Sequence, residues 1–480
     1  MSTYNIQYSL MNAIYFDSIY MSKTIKQIHF LHALTVFAGL FGLIALGMFV
    51  LDRQLHIVLF LAVIWVACNT WLLGFKYSNI REMMSAAISR ALPAFYIFLL
   101  IGLVIAALMK SGTVATLIYY GLDWLSPQWF LPIGFILCAL MSLLTGTSWG
   151  TVGTLGVVFM GMAEALGIPL YWVAGMVVSG ATFGDKMSPI SDTTNLAAMS
   201  SETDLYAHIR SMLMTTGPTF LLVLVIFTVV GFNFTVTEDS LNQAQNIQQA
   251  LSQLFNLNPL VTLWPVLVLG VLSYRKFAAE ISMSTCVLVA VIIALLFQGQ
   301  SIQEVTNALW SNSKTNTGLN QVDDLLGRGG LFAMAWTLLL AFIAVALGGI
   351  LQGAGFVLAL LDGLIKRVKS TGSMVASTIV TGLLSVAAMS EAYIAIILNS
   401  ELYKKSYADR GIDKAVLSRS VEEGTTLMSP LIPWSTAGAF YAATLGIPVV
   451  EYAPFALLNL LNPLVAVLFA FLGVALLKKR

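Results

Sequence analysis

Charge is scarce in this chain. Of 480 residues only 10% are Asp, Glu, Lys or Arg, while 58% are hydrophobic, and a soluble domain carries about 25% charged residues. A soluble globular protein is thereby excluded. The formal net charge is +1 and no block of basic residues stands out, so no nucleic-acid surface is expected. Cysteine is nearly absent: Cys68, Cys138 and Cys286 lie in three separate apolar runs, which argues against disulfides and thiolate metal sites. The four histidines, His29, His32, His56 and His208, fall near the ends of apolar runs and are read as interfacial, with no metal site. Residues 1–28 are polar and aromatic, and no short apolar stretch with a small-residue cleavage site follows. The expectation is a permanent first span rather than a removable signal peptide.

What the sequence does have is long apolar runs. Leu31–Leu51, His56–Phe75, Met214–Phe232 and Ala453–Leu477 are near the roughly 20 helical residues that cross about 30 Å of hydrocarbon. They lack the alternation of barrel strands, so they are helices in a lipid bilayer. Lys and Arg in short loops set the orientation. Lys23 and Lys26 before the first span, Lys76, Arg81 and Arg90 after the second, and Lys478, Lys479 and Arg480 at the end put both termini in the cytoplasm of a prokaryote, with the chain in its inner membrane. Single crossings are expected over Ala91–Leu122 and Gly330–Ile365. Trp129–Leu166 bends around Thr145-Gly146-Thr147 without a cation, and Ser373–Leu402 has cations at both ends; each reads as a helical hairpin. The polar stretch Asn233–Asn258 carries no positive charge and reads as an external loop.

The two halves echo each other. Ile97–Leu122 aligns without gaps on Leu339–Leu364, and Met187-Ser188-Pro189-Ile190 recurs as Met428-Ser429-Pro430-Leu431. Positive charge precedes the first copy and follows the second, the pattern of an inverted-topology repeat whose substrate site lies near the midplane. The expected fold is an all-α membrane protein: an inverted repeat of helical bundles with two hairpins and two Pro-broken transmembrane helices. Its parts are a cytoplasmic segment 1–28, a first repeat 29–233, an external polar loop 234–257 and a second repeat 258–480.

Ionisable groups at membrane depth cost about 2.5–3.5 kcal/mol each on insertion scales and mark function. Phe183–Asn195 places Asp185, Lys186 and Asp192 in one crossing, and Pro189 breaks that helix by denying a hydrogen bond to the Asp185 carbonyl. A break frees carbonyls for a bare cation and opens a helix start. Sodium prefers oxygen, and Asp185, Ser188, Ser191, Asp192, Thr193, Thr194 and Asn195 supply it, with Asp185 and Asp192 as the charged ligands. Lys186 is open to a plain ion pair with one of them. In the second half Thr426 takes the place of Asp185 beside Ser429; Glu423 and Glu391, next to Ser390, are candidates for a proton site. Glu422 beside Arg419 reads as a solvated helix entrance. Thr147, Ser148 and Trp149 at the first hairpin tip complete the candidates, with small-residue packing as the alternative role of this stretch. No soluble cofactor is needed, since an ion gradient supplies the energy.

The strings GTSWGTVGTLGV (Gly146–Val157) and GATFGDKMSPISDTTNLA (Gly180–Ala197), followed by His208 and Thr215-Thr216, resemble the signature of the NhaC family of sodium/proton antiporters. The resemblance implies sodium and protons as coupling ions. Some relatives in the wider superfamily exchange organic acids such as malate and lactate, or amino acids, which keeps an organic cargo as the alternative; a homodimer is also left open. An intramembrane aspartyl protease would need its two Asp on different helices, and a channel would want a symmetric ring of ligands; neither matches. Single cysteines at Ser240 and Ser406, in a chain without its native three, are expected to react with an impermeant maleimide from opposite sides of the membrane. Reaction of both from one side contradicts the inverted topology.

Overall fold

The computed structural model describes residues 28–234, 238–312, 320–365, 368 and 370–477. The flanking lysines and arginines at 23, 26, 366, 367, 369 and 478–480, and segment 1–27, lie outside the described residues. Among those described, all regular elements are helices. Nine are long and apolar enough to cross a membrane, and two bent pairs raise the number to eleven if each is one span. The chain is a multi-pass membrane protein.

By contact it divides into two units, Met1–Ser89 with Val345–Arg367, and Arg90–Ala344 with Val368–Arg480. In the first, α1 (Phe30–Ala45) packs on α2 (Leu55–Leu72), where Trp65 Nε1 donates to the Val36 carbonyl at 3.1 Å. α3 (Tyr77–Lys110) starts in this unit and ends in the other. It stops before Gly112, whose φ of 74° is left-handed, and α4 (Thr113–Trp124) follows. The single crossing expected over Ala91–Leu122 is therefore two helices, because a left-handed glycine ends a helix rather than continuing it.

The second unit holds the hairpins and breaks. α5 (Pro127–Thr145) turns at Gly146, φ 68°, into α6 (Ser148–Leu166), and Thr147 caps α6 by accepting from Gly150 N at 3.4 Å. Phe130 of α5 meets Phe159 of α6 at 5.6 Å, so the arms fold back on each other as a hairpin. α7 (Leu170–Met187) ends at an extended Ser188, and α8 (Asp192–Ser200) restarts with Ser191 as N-cap. The break brackets Pro189, as its chemistry requires. α9 (Leu205–Gly231) is capped by Asp204, which accepts from Tyr206 N and Ala207 N at 3.0 Å. The expected loop Asn233–Asn258 is largely a helix, α10 (Glu238–Leu254). Its buried Ala244, Ile247 and Leu251 form a narrow apolar stripe that the many glutamines and asparagines concealed.

In the second half the crossing expected over Gly330–Ile365 is likewise two helices, α11 (Leu331–Gly353) and α12 (Phe356–Ile365), parted at Gly355 with φ 90°. α13 (Thr371–Met389) turns at Ser390, φ 62°, into α14 (Ala392–Ala408), whose N-cap is Glu391. Ser377 with Tyr403 at 2.5 Å and Thr378 with Tyr407 at 3.0 Å bind the arms. α15 (Lys414–Gly424) ends ahead of a 3-10 turn, Ser429–Leu431, and α16 (Thr436–Leu445) restarts with Ser435 as N-cap. α17 (Leu457–Phe471) follows. Gly112 and Gly355, Gly146 and Ser390, and the caps Ser191 and Ser435 thus recur 243 or 244 positions apart, in the same order.

α7 approaches α5 closely because Gly180 and Gly184 face it. A Cβ on Gly180 would come within 2.7 Å of Cys138 Cβ, and one on Gly184 would overlap the Ala139 carbonyl and the Leu143 amide. Small residues are what allow such backbone contact between membrane helices. Gly184→Val is expected to cost about 1–3 kcal/mol through overpacking, seen as a lower melting temperature in detergent, whereas Gly270→Ala, inside a helix with nothing within 4 Å of the added carbon, does not lower it.

Candidate ion site

Asp185 lies in the last turn of α7, 8% exposed. Ser148 Oγ donates to its Oδ2 and Ser191 Oγ to its Oδ1, both at 2.6 Å, and the Ser148 backbone N–H also reaches the carboxylate. Ser148 opens α6 and Ser191 caps α8, so two helix N-termini converge on one carboxylate, and both dipoles favour negative charge there. The Tyr441 hydroxyl bonds Ser148 from the second half. Beside this lies an aromatic wall, Trp149 stacked on Phe440 at 4.6 Å with Phe98 edge-on to both.

The other residues expected at the site divide. Thr193 Oγ1 is 3.2 Å from Ser191 Oγ. Thr194 Oγ1 is 3.2 Å from the Asp185 carbonyl, 3.1 Å from that of Lys186 and 3.3 Å from Glu422 Oε1; its one hydrogen serves a single acceptor at a time. Ser188 donates instead to Leu143 O at 2.8 Å, and Asn195 to Pro189 O and Ser191 O at 3.0 and 2.7 Å, so these two hold the break together. Asp192 is exposed, and the structure does not bring its carboxylate to that of Asp185: a residue opening α8 points away from the side that Ser191 turns inward. Lys186 does not bond either Asp. Its Nζ is fully buried without a hydrogen-bond partner, and the charges acting on it are Glu423, Glu422 and Arg419.

In the second half the acid stands at the hairpin tip instead. Glu391, 7% exposed, accepts from Thr436 Oγ1 at 3.2 Å and from Tyr393 N at 3.3 Å, and Thr436 N donates to the Ser390 carbonyl at 2.9 Å. Ser390 Oγ, Thr426 Oγ1 and Ser429 Oγ are buried without partners.

Behind Asp185 is a cluster that the sequence reading missed. His208, Arg419, Glu422 and Glu423 are all 0% exposed, so His208 is not interfacial and Glu422 is not a solvated entrance. His208 Nε2 is 2.9 Å from Glu422 Oε2 and its Nδ1 is 2.7 Å from Ser418 Oγ. Glu423 Oε1 accepts from Thr215 at 2.6 Å and Asn462 at 3.2 Å, with Arg419 Nε 4.0 Å away. Arg419 Nη1 donates to the Ser211 and Ala475 carbonyls at 3.1 Å. A signal was present: His208, Ser211, Thr215 and Thr219 fall at helical spacing on α9 and are all buried. Outside the spans, hydrogen bonds from Lys414 and Lys404, at 2.8 and 3.1 Å, hold the exposed Glu202 carboxyl below the usual carboxylate range.

A sequence profile described as the Na+/H+ antiporter family matches residues 18–194 and 180–474. The chain belongs to this family. It is 36% identical to the Na+/H+ antiporter NhaC of Alkalihalophilus pseudofirmus over 92% of this chain and 95% of that one. It is 34% identical to NhaC of Bacillus subtilis, over 93% and 98%, and 33% identical to the malate-2H+/Na+-lactate antiporter of the same organism, over 88% and 90%. The profile spans the hairpin tip, both breaks and the buried cluster of this family member.

Removing one member of a buried ion pair costs about 3–5 kcal/mol because the other is left without compensation. Arg419→Met is therefore expected to lower the melting temperature and folded yield sharply, while Lys414→Met, at an exposed bridge, leaves both unchanged.

Proposed function

We propose that this chain exchanges sodium for protons by alternating access, and that the two ions compete for Asp185. The observation that carries the reading is the pairing of this buried carboxylate with hydroxyls from two separate helix starts, Ser148 and Ser191. A carboxylate withdrawn from water needs a positive charge beside it, and a sodium ion or a proton can supply it. Serine hydroxyls suit both states. They donate to the carboxylate when the site is empty, and by rotating they offer lone pairs to a cation, with the Thr194 hydroxyl and the carbonyls freed at the break as further oxygen ligands. Glu391 and Glu423 are the corresponding acids of the second half.

The recurrence of turns and caps, with opposite charge flanks, supports two inverted repeats that rock about the breaks. The loop charges support an inner-membrane orientation with cytoplasmic termini. A second reading, sodium-coupled exchange of an organic acid, is favoured by the malate-2H+/Na+-lactate antiporter among the relatives. The one arginine of the broken segments, Arg419, faces Glu423 and donates to the Ser211 and Ala475 carbonyls instead of standing free to clamp such a carboxylate, so simple exchange is preferred.

The test uses proteoliposomes with a low internal pH and no organic solute. Wild type is expected to take up sodium and release protons, and Asp185→Asn, which keeps size and hydrogen bonding, to lose this at least about a hundredfold, the equivalent of about 2.7 kcal/mol, with normal membrane expression. Near wild-type exchange by the variant removes Asp185 from the mechanism. Uptake that needs malate, lactate or an amino acid replaces the exchange reading with the second one.

A further inference from the structure

Thr194 joins two sites. On one side its hydroxyl lies against the carbonyls of Asp185 and Lys186, on the other against Glu422 Oε1. The second oxygen of Glu422 meets His208 Nε2, and His208 Nδ1 meets Ser418. A line of polar groups therefore runs from Ser418 through an imidazole and a carboxylate to Thr194, whose one hydrogen reaches either Glu422 or the end of α7, linking α15, α9, α8 and α7. Every member of it is fully buried.

An ionised carboxylate only accepts hydrogen bonds, so Nε2 is the imidazole's donor to Glu422 and Nδ1 is the nitrogen that can take a further proton. Imidazole is the side chain suited to gaining and losing a proton near neutral pH. The Glu422 charge also acts on Asp185 directly. With His208 neutral, Glu422 adds negative potential that attracts a cation to Asp185. With His208 protonated, the pair is neutral and that attraction is withdrawn.

We propose, resting on the exchange reading above, that His208 is a second proton-binding residue of the antiporter, occupied by a proton when Asp185 lacks sodium and emptied when sodium binds. The transfer balances as a simple protonation. A proton adds to the Nδ1 lone pair from hydronium, whose O–H bond breaks to leave water; Ser418 Oγ turns from donor to acceptor, and on sodium binding the Nδ1–H bond breaks with its electron pair left on nitrogen and the proton taken up by water as hydronium. The charged groups around it are Glu422, Glu423 and Arg419 on α15 and Asp185 and Lys186 on α7; Arg210, on its own helix, is exposed, and α8 offers Thr194 beside an outward Asp192. α5 and α17 contribute no charged side chain, although α17 brings Asn462 to Glu423.

The test is 13Cε1-histidine NMR on the full-length protein in nanodiscs, with the His208 signal assigned by its loss in His208→Gln. At a pH where the sodium-free signal is partly protonated, sodium chloride is expected to move it to the neutral position and choline chloride is not. A His208 signal that ignores sodium, in a sample that binds 22Na+, overturns the inference alone. A sample that binds no sodium overturns the exchange reading and the inference together. As a second measurement, two linked protons make the apparent Kd for sodium fall about a hundredfold per pH unit where both titrate, and His208→Gln is expected to reduce this to about tenfold. Equal slopes in wild type and variant overturn the proposal.

Discussion

Within hydrocarbon a backbone N–H or C=O without a partner costs several kcal/mol, so a helix is broken there only where side chains take over its hydrogen bonds. Much of the polar chemistry in the second unit follows from this. Ser191 and Ser435 cap the restarting helices. Asn195 serves the carbonyls of Pro189 and Ser191, Asn459 that of Leu427 at 2.7 Å, Tyr452 that of Pro430 at 2.6 Å and Trp434 that of Ala387 at 2.7 Å. The density of Ser, Thr and Asn around the breaks is first a structural necessity. Asp185 stands apart because no backbone requirement calls for a carboxylate there.

What could be read from the sequence were the features that local chemistry decides. Pro189 and Pro430 mark breaks, Gly146 marks a hairpin tip, and the run of hydroxyls around Asp185 marks oxygen chemistry; the chain folds locally as those residues dictate. Gly112 and Gly355 were passed over because an isolated glycine in an apolar run reads the same in a continuous helix and at a left-handed stop. Asp192 and Asp185, seven residues apart, would share a face of an intact helix, but the break that makes the site also turns Asp192 away. His208, Arg419 and Glu422 were misplaced for another reason. Whether a charge near a span end meets water depends on which distant helix covers it, and α9 and α15 are separated by about half the chain.

The buried cluster has an energetic character of its own. Two acids, an arginine and a lysine are withdrawn from water together, a group whose desolvation is offset only when every charge is near its opposite. Lys186 Nζ, Glu423 Oε2 and Arg419 Nη2 are left without hydrogen-bond partners, so the cluster is matched in charge but not in hydrogen bonds. Buried polar atoms in that condition are where ordered water gathers.

The hairpin-to-helix hydrogen bond reverses its sense between the halves. Ser148 of the first hairpin donates to an acid on α7, whereas Glu391 of the second hairpin is itself the acid and accepts from Thr436 of α16. Each hairpin tip thus spends a side-chain hydrogen bond on a broken segment, and the two tips bring opposite chemistry to it, a hydroxyl in one half and a carboxylate in the other. Two tips of like backbone, turning at Gly146 and Ser390, therefore offer unlike surroundings, the one a donor set against an acid and the other an acid set against a donor.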